Sequence, residues 1–338
     1  MPIAASGAVS FSDLRSEFAS GSGAVSFSDL YRGGSNVLAK AANNTGINLA
    51  ASVPTTGSIN FTNFRGAAKG FRFIYASGAT NQNASALFGD DYAVNYPKEI
   101  VINSGVELGA TSTSEEALQI NSGGAGTITI TNNGTLSGAG GAANSGAGGD
   151  AFEANVACIL INNGTIRAGG GGGGKGGNGN YGTLQKQYQN SYWYKYTRFC
   201  NSYNSGELWW GSGNMILSSR NCDCGCSRST GGWLYKRSDR TSCSCGQNEA
   251  MRQRTVYTNT TGGNGGRGQG YNHGSAGGSN GGTNAGRGGN GGGYGSSGAN
   301  GAGGNVSGGS GAGAAGKYIR GLGNVTFTNN GTVQGGTA

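Results

Sequence analysis

The sequence predicts a mainly β chain. Its parts are short N-terminal strand-turn repeats, a β-solenoid-like or stacked-hairpin body, glycine-rich polyglycine II layers and a cysteine-rich insertion. Three observations carry this. A strand-turn-strand unit occurs three times, at residues 127–136, 158–166 and 324–333: a β-branched run, then Asn-Asn-Gly-Thr, then a second short apolar run. β-Branched residues fit pleated strands, and Asn-Gly is the strongest short hairpin signal. Each unit adjoins a glycine-dominated run, at 123–149, 169–182 and 262–316. A recurring unit of this kind needs its neighbours to bury a face. Finally, only 35% of the 338 residues are hydrophobic, below the usual ~45–50%, so backbone hydrogen bonds must carry more of the fold.

Residues 1–66 come first. Ser6-Gly-Ala-Val-Ser-Phe-Ser-Asp-Leu14 recurs without change at 22–30, and a looser third copy spans 57–66. Each copy reads as a short strand followed by a turn or helix start. Ser10 with Asp13, and Ser26 with Asp29, have capping-box spacing, with Asp in place of the usual Glu. Leu14 and Phe18 then share one helical face. Segments this short are stable only when docked. The copies are similar to short repeats near the ends of many phage tail-fibre and tail-tip proteins. That resemblance implies a virion-docking region at 1–66; a local cap on the next domain is the alternative.

Residues 67–182 read as a β-rich body with glycine runs. Strands are expected at 71–75, 99–103, 106–108 and 117–120. Ile-Asn-Ser-Gly occurs at 102–105 and again 18 residues later, at 120–123, which suggests rungs or stacked hairpins. Pro97 starts a strand rather than sitting inside one. Cys158 lies in an apolar run and reads as a buried core residue. Residues 261–338 form the last glycine-rich segment and the closing strands.

The glycine runs have two readings. By composition they are flexible linkers, since glycine loses the most entropy on ordering and buries no side chain. The ordered alternative is polyglycine II: extended, left-handed, three residues per turn. Without Cβ atoms such helices can lie side by side, joined by N–H···O and Cα–H···O bonds. Glycine runs broken by short variable segments, behind an N-terminal attachment region, resemble the tip adhesins of T-even-type phage tail fibres. The resemblance covers roughly residues 123–316 and rests on composition and layout. It implies stacked polyglycine II helices that display receptor-binding loops. The one very long insertion here departs from that pattern.

That insertion, 183–260, differs in composition from its flanks. All four tryptophans and six of the seven cysteines fall in it. Cys200, Cys222, Cys224, Cys226, Cys243 and Cys245 read first as three disulfides, because a small extracellular module lacks a large core. Thiolate ligation of a soft metal is the alternative, although Cys-x-Cys is not the usual structural zinc spacing; free thiols are a third reading. Tyr192, Trp193, Tyr194, Tyr196, Trp209, Trp210, Trp233 and Tyr235 offer large rigid faces for stacking on sugars. Lys236 and Arg237 can pair with phosphate or carboxylate groups. A mini-core for the module is the competing role for about half of these aromatics.

Net charge is +8, and no acidic residue follows Glu249. The cations are spread among glycines rather than concentrated on one element, which favours an anionic cell envelope over nucleic acid. No signal peptide and no membrane span are read, as expected of a virion component released by lysis. Enzyme readings are weak. His273, the single histidine, sits in a glycine loop and reads as a solvated surface residue, so no nucleophile-base pair has support. Asp90, Asp91, Glu99, Glu107, Glu115 and Glu116 could supply the two carboxylates of a polysaccharide depolymerase, but a charged solvent face explains them as well. The glycine runs make no phosphate loop, and no cofactor or metal is expected.

The expected function is therefore a non-enzymatic receptor-binding protein of the tail fibre or tail tip. It would dock to other tail proteins through 1–66 and bind a host surface glycan or outer-membrane protein, in an oligomeric state the sequence does not give. A purely structural virion component, and then a depolymerase, are the alternatives.

Overall fold

The computed structural model describes residues 3–19, 24–37, 39, 47–192, 215–216, 229–232 and 248–338. The chain divides into two compact units: Met1–Gly179 with Thr261–Ala338, and Asn180–Thr260. It is mainly β, with parallel sheets.

The first unit opens with the three N-terminal copies. Each breaks into a short helix at its cap. Helix α1 (Phe11–Phe18) is capped by Ser10 and Asp13; 3-10 turns follow Ser26, at Phe27–Leu30, and Asn60, at Phe61–Phe64. The caps Ser10, Ser26 and Asn60 are extended, but the described residues ahead of them join no ladder, so the expected short strands are absent among the described residues. A lone extended segment has nothing to pair with and gains its stability from the cap instead. Leu14 and Phe18 are fully buried, as their spacing predicts, in a small core with Leu30, Val53 and Phe64.

The body is built by circuits of the chain. Strand β1 (Ile47–Asn48) caps the edge of β2 (Phe71–Tyr75), antiparallel. The first circuit continues through β3 (Ala79–Thr80), β4 (Gln82–Asn83) and helix α2 (Ala84–Phe88). The next three strands are β5 (Lys98–Ile102), β6 (Glu107–Gly109) and β7 (Leu118–Ile120). Then come β8 (Ile128–Asn132), β9 (Thr135–Ser137) and β10 (Phe152–Ala154), followed by β11 (Cys158–Asn162) and β12 (Thr165–Arg167). In the second unit, β13 (Gly179–Tyr192) pairs with β16 (Asn248–Thr260), and β14 (Met215–Ile216) with β15 (Ser229–Gly232). The last strands are β17 (Lys317–Arg320), β18 (Val325–Asn329), β19 (Thr332–Gln334) and β20 (Gly336–Thr337).

Three sheets result, and each takes one strand from every circuit. Their orders are β1-β2-β5-β8-β11-β18, β3-β6-β9-β12-β19 and β4-β7-β10-β17-β20. Inward residues stack in columns: Ile100, Ile130, Leu160 and Phe327 on one sheet, and Leu108, Leu136, Ile166 and Val333 on the next. The first of these strands alternate buried and half-buried residues, the period-two signature of a sheet with one face in a core. Cys158 lies in this core, and burial pushes its thiol up to about 11.

The hairpin reading of Asn-Asn-Gly-Thr is overturned. The strands on either side of it belong to different sheets and never pair with each other. The turn is a corner, and its asparagines bond across circuits. Asn132 Nδ2 donates to Asn162 Oδ1 (2.8 Å), and Asn162 Nδ2 to Asn329 Oδ1 (2.7 Å). The neighbouring asparagines repeat this: Asn163 donates to Asn133 (2.9 Å), and Asn330 to Asn163 (3.0 Å). From β5 through β8 to β11 the circuits thus repeat every 30 residues rather than every 18. The two Ile-Asn-Ser-Gly segments are different corners of one circuit, after β5 and after β7, with Gly105 and Gly123 at φ 78° and 86°.

All the long excursions leave the same corner. Residues 138–151 lie between β9 and β10, and 168–316 between β12 and β17. The glycine stretches 138–149, 169–179 and 261–316 therefore leave one corner of the body, and 183–260 falls in sequence within the second excursion. Among the described residues no helix is long and apolar enough to cross a membrane.

Candidate functional site

Two surfaces of the first unit are candidates. One is formed by the N-terminal copies. Val9, Val25 and Ile59, and likewise Phe11, Phe27 and Phe61, hold equivalent positions in the three copies. The rings meet edge-on: Phe11 and Phe27 lie 5.6 Å apart, Phe27 and Phe61 5.8 Å. Phe27 is 40% exposed and Phe61 37%. An aromatic row left this open is unusual on a free surface. The caps hold it in place: the Ser10 and Ser26 bonds draw the Asp13 and Asp29 carboxyls below their usual range, so both are charged at neutral pH. The repeat was legible in the sequence, but its outward face was not.

The other surface is the margin of the glycine network. Every N–H from Gly169 to Asn178 donates a hydrogen bond. Partners recur every third residue. Gly170, Gly173 and Gly176 donate to the carbonyls of Gln269, Gly266 and Gly263, each at 2.8 Å. Gly171, Gly174 and Gly177 donate to Ser296, Ala299 and Ala302. Counting acceptors as well, this run is bonded to segments 141, 145–149, 263–269, 286–292, 296–302 and 306–316. It has neighbours on every side, and Gly169–Gly174 are all buried. Further out, one residue in three faces solvent. Thr261, Asn264 and Arg267 are exposed, while the glycine pairs between them are buried.

The network ends in exposed corners. Asn144, Ser145, Asn272 and Asn284 turn there with φ of 63°, 78°, 60° and 60°. Val306, at another corner, is 55% exposed. Two tyrosines join the network to the body. The Tyr271 ring covers Gly109, where any Cβ would overlap it. Tyr294 lies under Arg167, 3.9 Å from ring centroid to guanidinium.

The six candidate carboxylates are spread over several sites. Glu99 pairs with Arg72 (2.6 Å), and Glu107 with Arg167 (2.8 Å). Asp90 and Glu115 are exposed. Asp91 is buried, its Oδ2 has no hydrogen-bond partner, and desolvation raises its pKa. Glu116 reaches Arg320 (2.6 Å), which also binds Asp150 (2.6 Å) and Glu153 (3.3 Å). His273 differs from its sequence reading. It is half-buried against Gly140, and its Nδ1 is enclosed without a partner.

Of the proposed contact residues, Tyr192 ends β13 and its side chain is not among those described. Trp193, Tyr194, Tyr196, Trp209, Trp210, Trp233, Tyr235, Lys236 and Arg237 lie outside the described residues. So do Cys200, Cys222, Cys224, Cys226, Cys243 and Cys245.

A backbone-bonded glycine network with exposed corners, carried on a parallel β body, defines a scaffold that displays loops. Residues 70–338 match the family model described as phage tail fibre adhesin Gp38, and the chain belongs to that family. It is a receptor-binding adhesin of the virion, located at the tail fibre or its tip and facing the extracellular medium. It is also similar to a crystal structure described as the gp37-gp38 adhesin tip complex of the bacteriophage S16 long tail fiber. Identity is 16%, TM-score 0.37, and the match covers 84% of this chain and 88% of that one. No curated protein matches the chain.

Proposed function

We propose that this adhesin acts without enzymatic chemistry, as a rigid display. In this reading the circuits form a β-solenoid, and the glycine runs are polyglycine II helices packed in layers. The observation that carries it is the run Gly169–Asn178, bonded in steps of three with neighbours on every side. Three residues per turn is the polyglycine II repeat. A linker would leave those amides to water.

Residues 1–66 are the docking end. The same Val/Ile and Phe positions from three copies gather in one half-exposed patch. Such a half-exposed apolar patch suits an apolar surface on another tail protein. Residues 183–260 are the host-contacting module. Its aromatics, from Tyr192 to Tyr235, with Lys236 and Arg237, would stack on and pair with an anionic surface glycan or outer-membrane protein. Its six cysteines would close disulfides.

Phe27→Ser tests the docking end. The expected outcome is folded, soluble protein that no longer joins virions. Normal incorporation would sink the docking assignment.

A further inference from the structure

We propose that Asn280 deamidates spontaneously, turning a neutral corner of the displayed glycine network into an anionic one. The chain holds eight Asn-Gly pairs, the sequence most open to this reaction because glycine has no Cβ to obstruct attack by its own nitrogen.

The fold restrains six of the others by engaging the glycine N–H. Gly134 and Gly164 donate to Asn132, through Oδ1 at 3.2 Å and the carbonyl at 3.0 Å. Gly265 donates to Asn144 Oδ1 (2.9 Å), Gly291 to the Ala276 carbonyl (2.9 Å) and Gly301 to the Ser310 carbonyl (3.0 Å). Gly331 donates to Asn329 Oδ1 at 3.4 Å. Several of the amide oxygens are occupied too: Asn290 Oδ1 accepts from Gly278 N (3.0 Å), and Asn300 Oδ1 from Ala312 N (2.9 Å).

Asn280 has neither restraint. Its side chain is exposed, and among the described residues neither its amide nor the Gly281 N–H has a hydrogen-bond partner. Ser279 and Gly282 on either side are anchored, to the carbonyls of Asn264 (2.8 Å) and Thr261 (3.1 Å). The pair between them is held by no hydrogen bond of its own among the described residues.

The chemistry closes on itself. The Gly281 nitrogen attacks Cγ of Asn280 and a C–N bond forms. The C–NH2 bond breaks, and ammonia leaves with the proton given up by the glycine nitrogen. Water then opens the resulting succinimide at either carbonyl, leaving aspartate or isoaspartate. No oxidant or reductant is needed. The formal net charge of +8 falls by one at an exposed position two residues from Gly278, whose carbonyl accepts from Arg287 Nε (3.2 Å).

The test is to age the full-length protein in mildly alkaline buffer and map deamidation by mass spectrometry. Asn280 should convert about tenfold faster than Asn264 or Asn290, the restraint expected of one hydrogen bond. In denaturant the sites should converge. An anion-exchange shift on ageing should disappear in Asn280→Gln. Equal rates in the native protein would overturn the proposal. So would the same ranking in denaturant, because the order would then belong to local sequence rather than to the fold.

Discussion

Gly164 shows why single residues matter here. Its φ is not left-handed, so the backbone turn alone does not require glycine. A Cβ there would overlap the carbonyl oxygen of Gly134 in the circuit below. Stacking, not conformation, selects the residue. The same logic separates neighbours in the outer runs. A Cβ on Gly291 would overlap the Arg267 carbonyl, whereas on Gly293 it would meet only Gln269 Oε1 at 3.5 Å. Gly291→Ala should cost about 1–3 kcal/mol. Gly293→Ala should stay within about 0.5 kcal/mol of wild type, both read from thermal melts. The asparagine ladders make a parallel contrast. Asn162 is fully buried between Asn132 and Asn329, and Asn163 is exposed. Asn162→Ala strands a buried donor and should cost about 1–3 kcal/mol in denaturant titrations, clearly more than Asn163→Ala.

At the scale of elements, β17 is the strand that must return after the long excursion. Its register sets Ile319 beside Phe152 and Arg320 beside Glu153. Arg320 then faces three carboxylates, Glu116, Asp150 and Glu153. One cation does not balance three anions. Desolvation first, and then Glu153, push Glu116 up to about 7 from the usual 4.5; Asp150 and Glu115 add to this, and Arg320 opposes it. A raised carboxyl pKa means that the folded state holds the proton more tightly than the unfolded chain. The stabilisation is complete below the unfolded value and is lost as pH rises through about 7. The melting temperature should therefore fall from mildly acidic to mildly alkaline buffer. Glu116→Gln should flatten that dependence and melt higher than wild type on the alkaline side. A wild-type profile flat across neutrality would refute this account of the cluster.

For the whole molecule, the proposed function gives the two units separate tasks. The paired strands β13 and β16 bring together the two ends of the insertion. A short Gly/Ser loop in place of 186–257 should leave the glycine network intact, and its bonds from Gly169 to Asn178 do not involve the insertion. Particles carrying that deletion should assemble with normal adhesin content and lose host adsorption. Unchanged adsorption would move receptor contact to the corners of the network, around Asn144, Asn272, Asn284 and Val306.

The sequence by itself determined the local features. These are the capped copies with Leu14 and Phe18 on one face, the β-branched strands, the buried Cys158 and the places where the chain turns. All depend on residues close in the chain. Only the tertiary structure decided the partners. Asn-Asn-Gly-Thr specifies a turn, but the choice between hairpin and corner rests on strands 30 and 167 residues away. The outward aromatic row, the enclosure of His273 and the crowding of carboxylates at Arg320 also arise between distant segments. A glycine run carries no side-chain pattern from which to read a neighbour. Its order comes from backbone bonds, and every residue type except proline offers the same donor and acceptor.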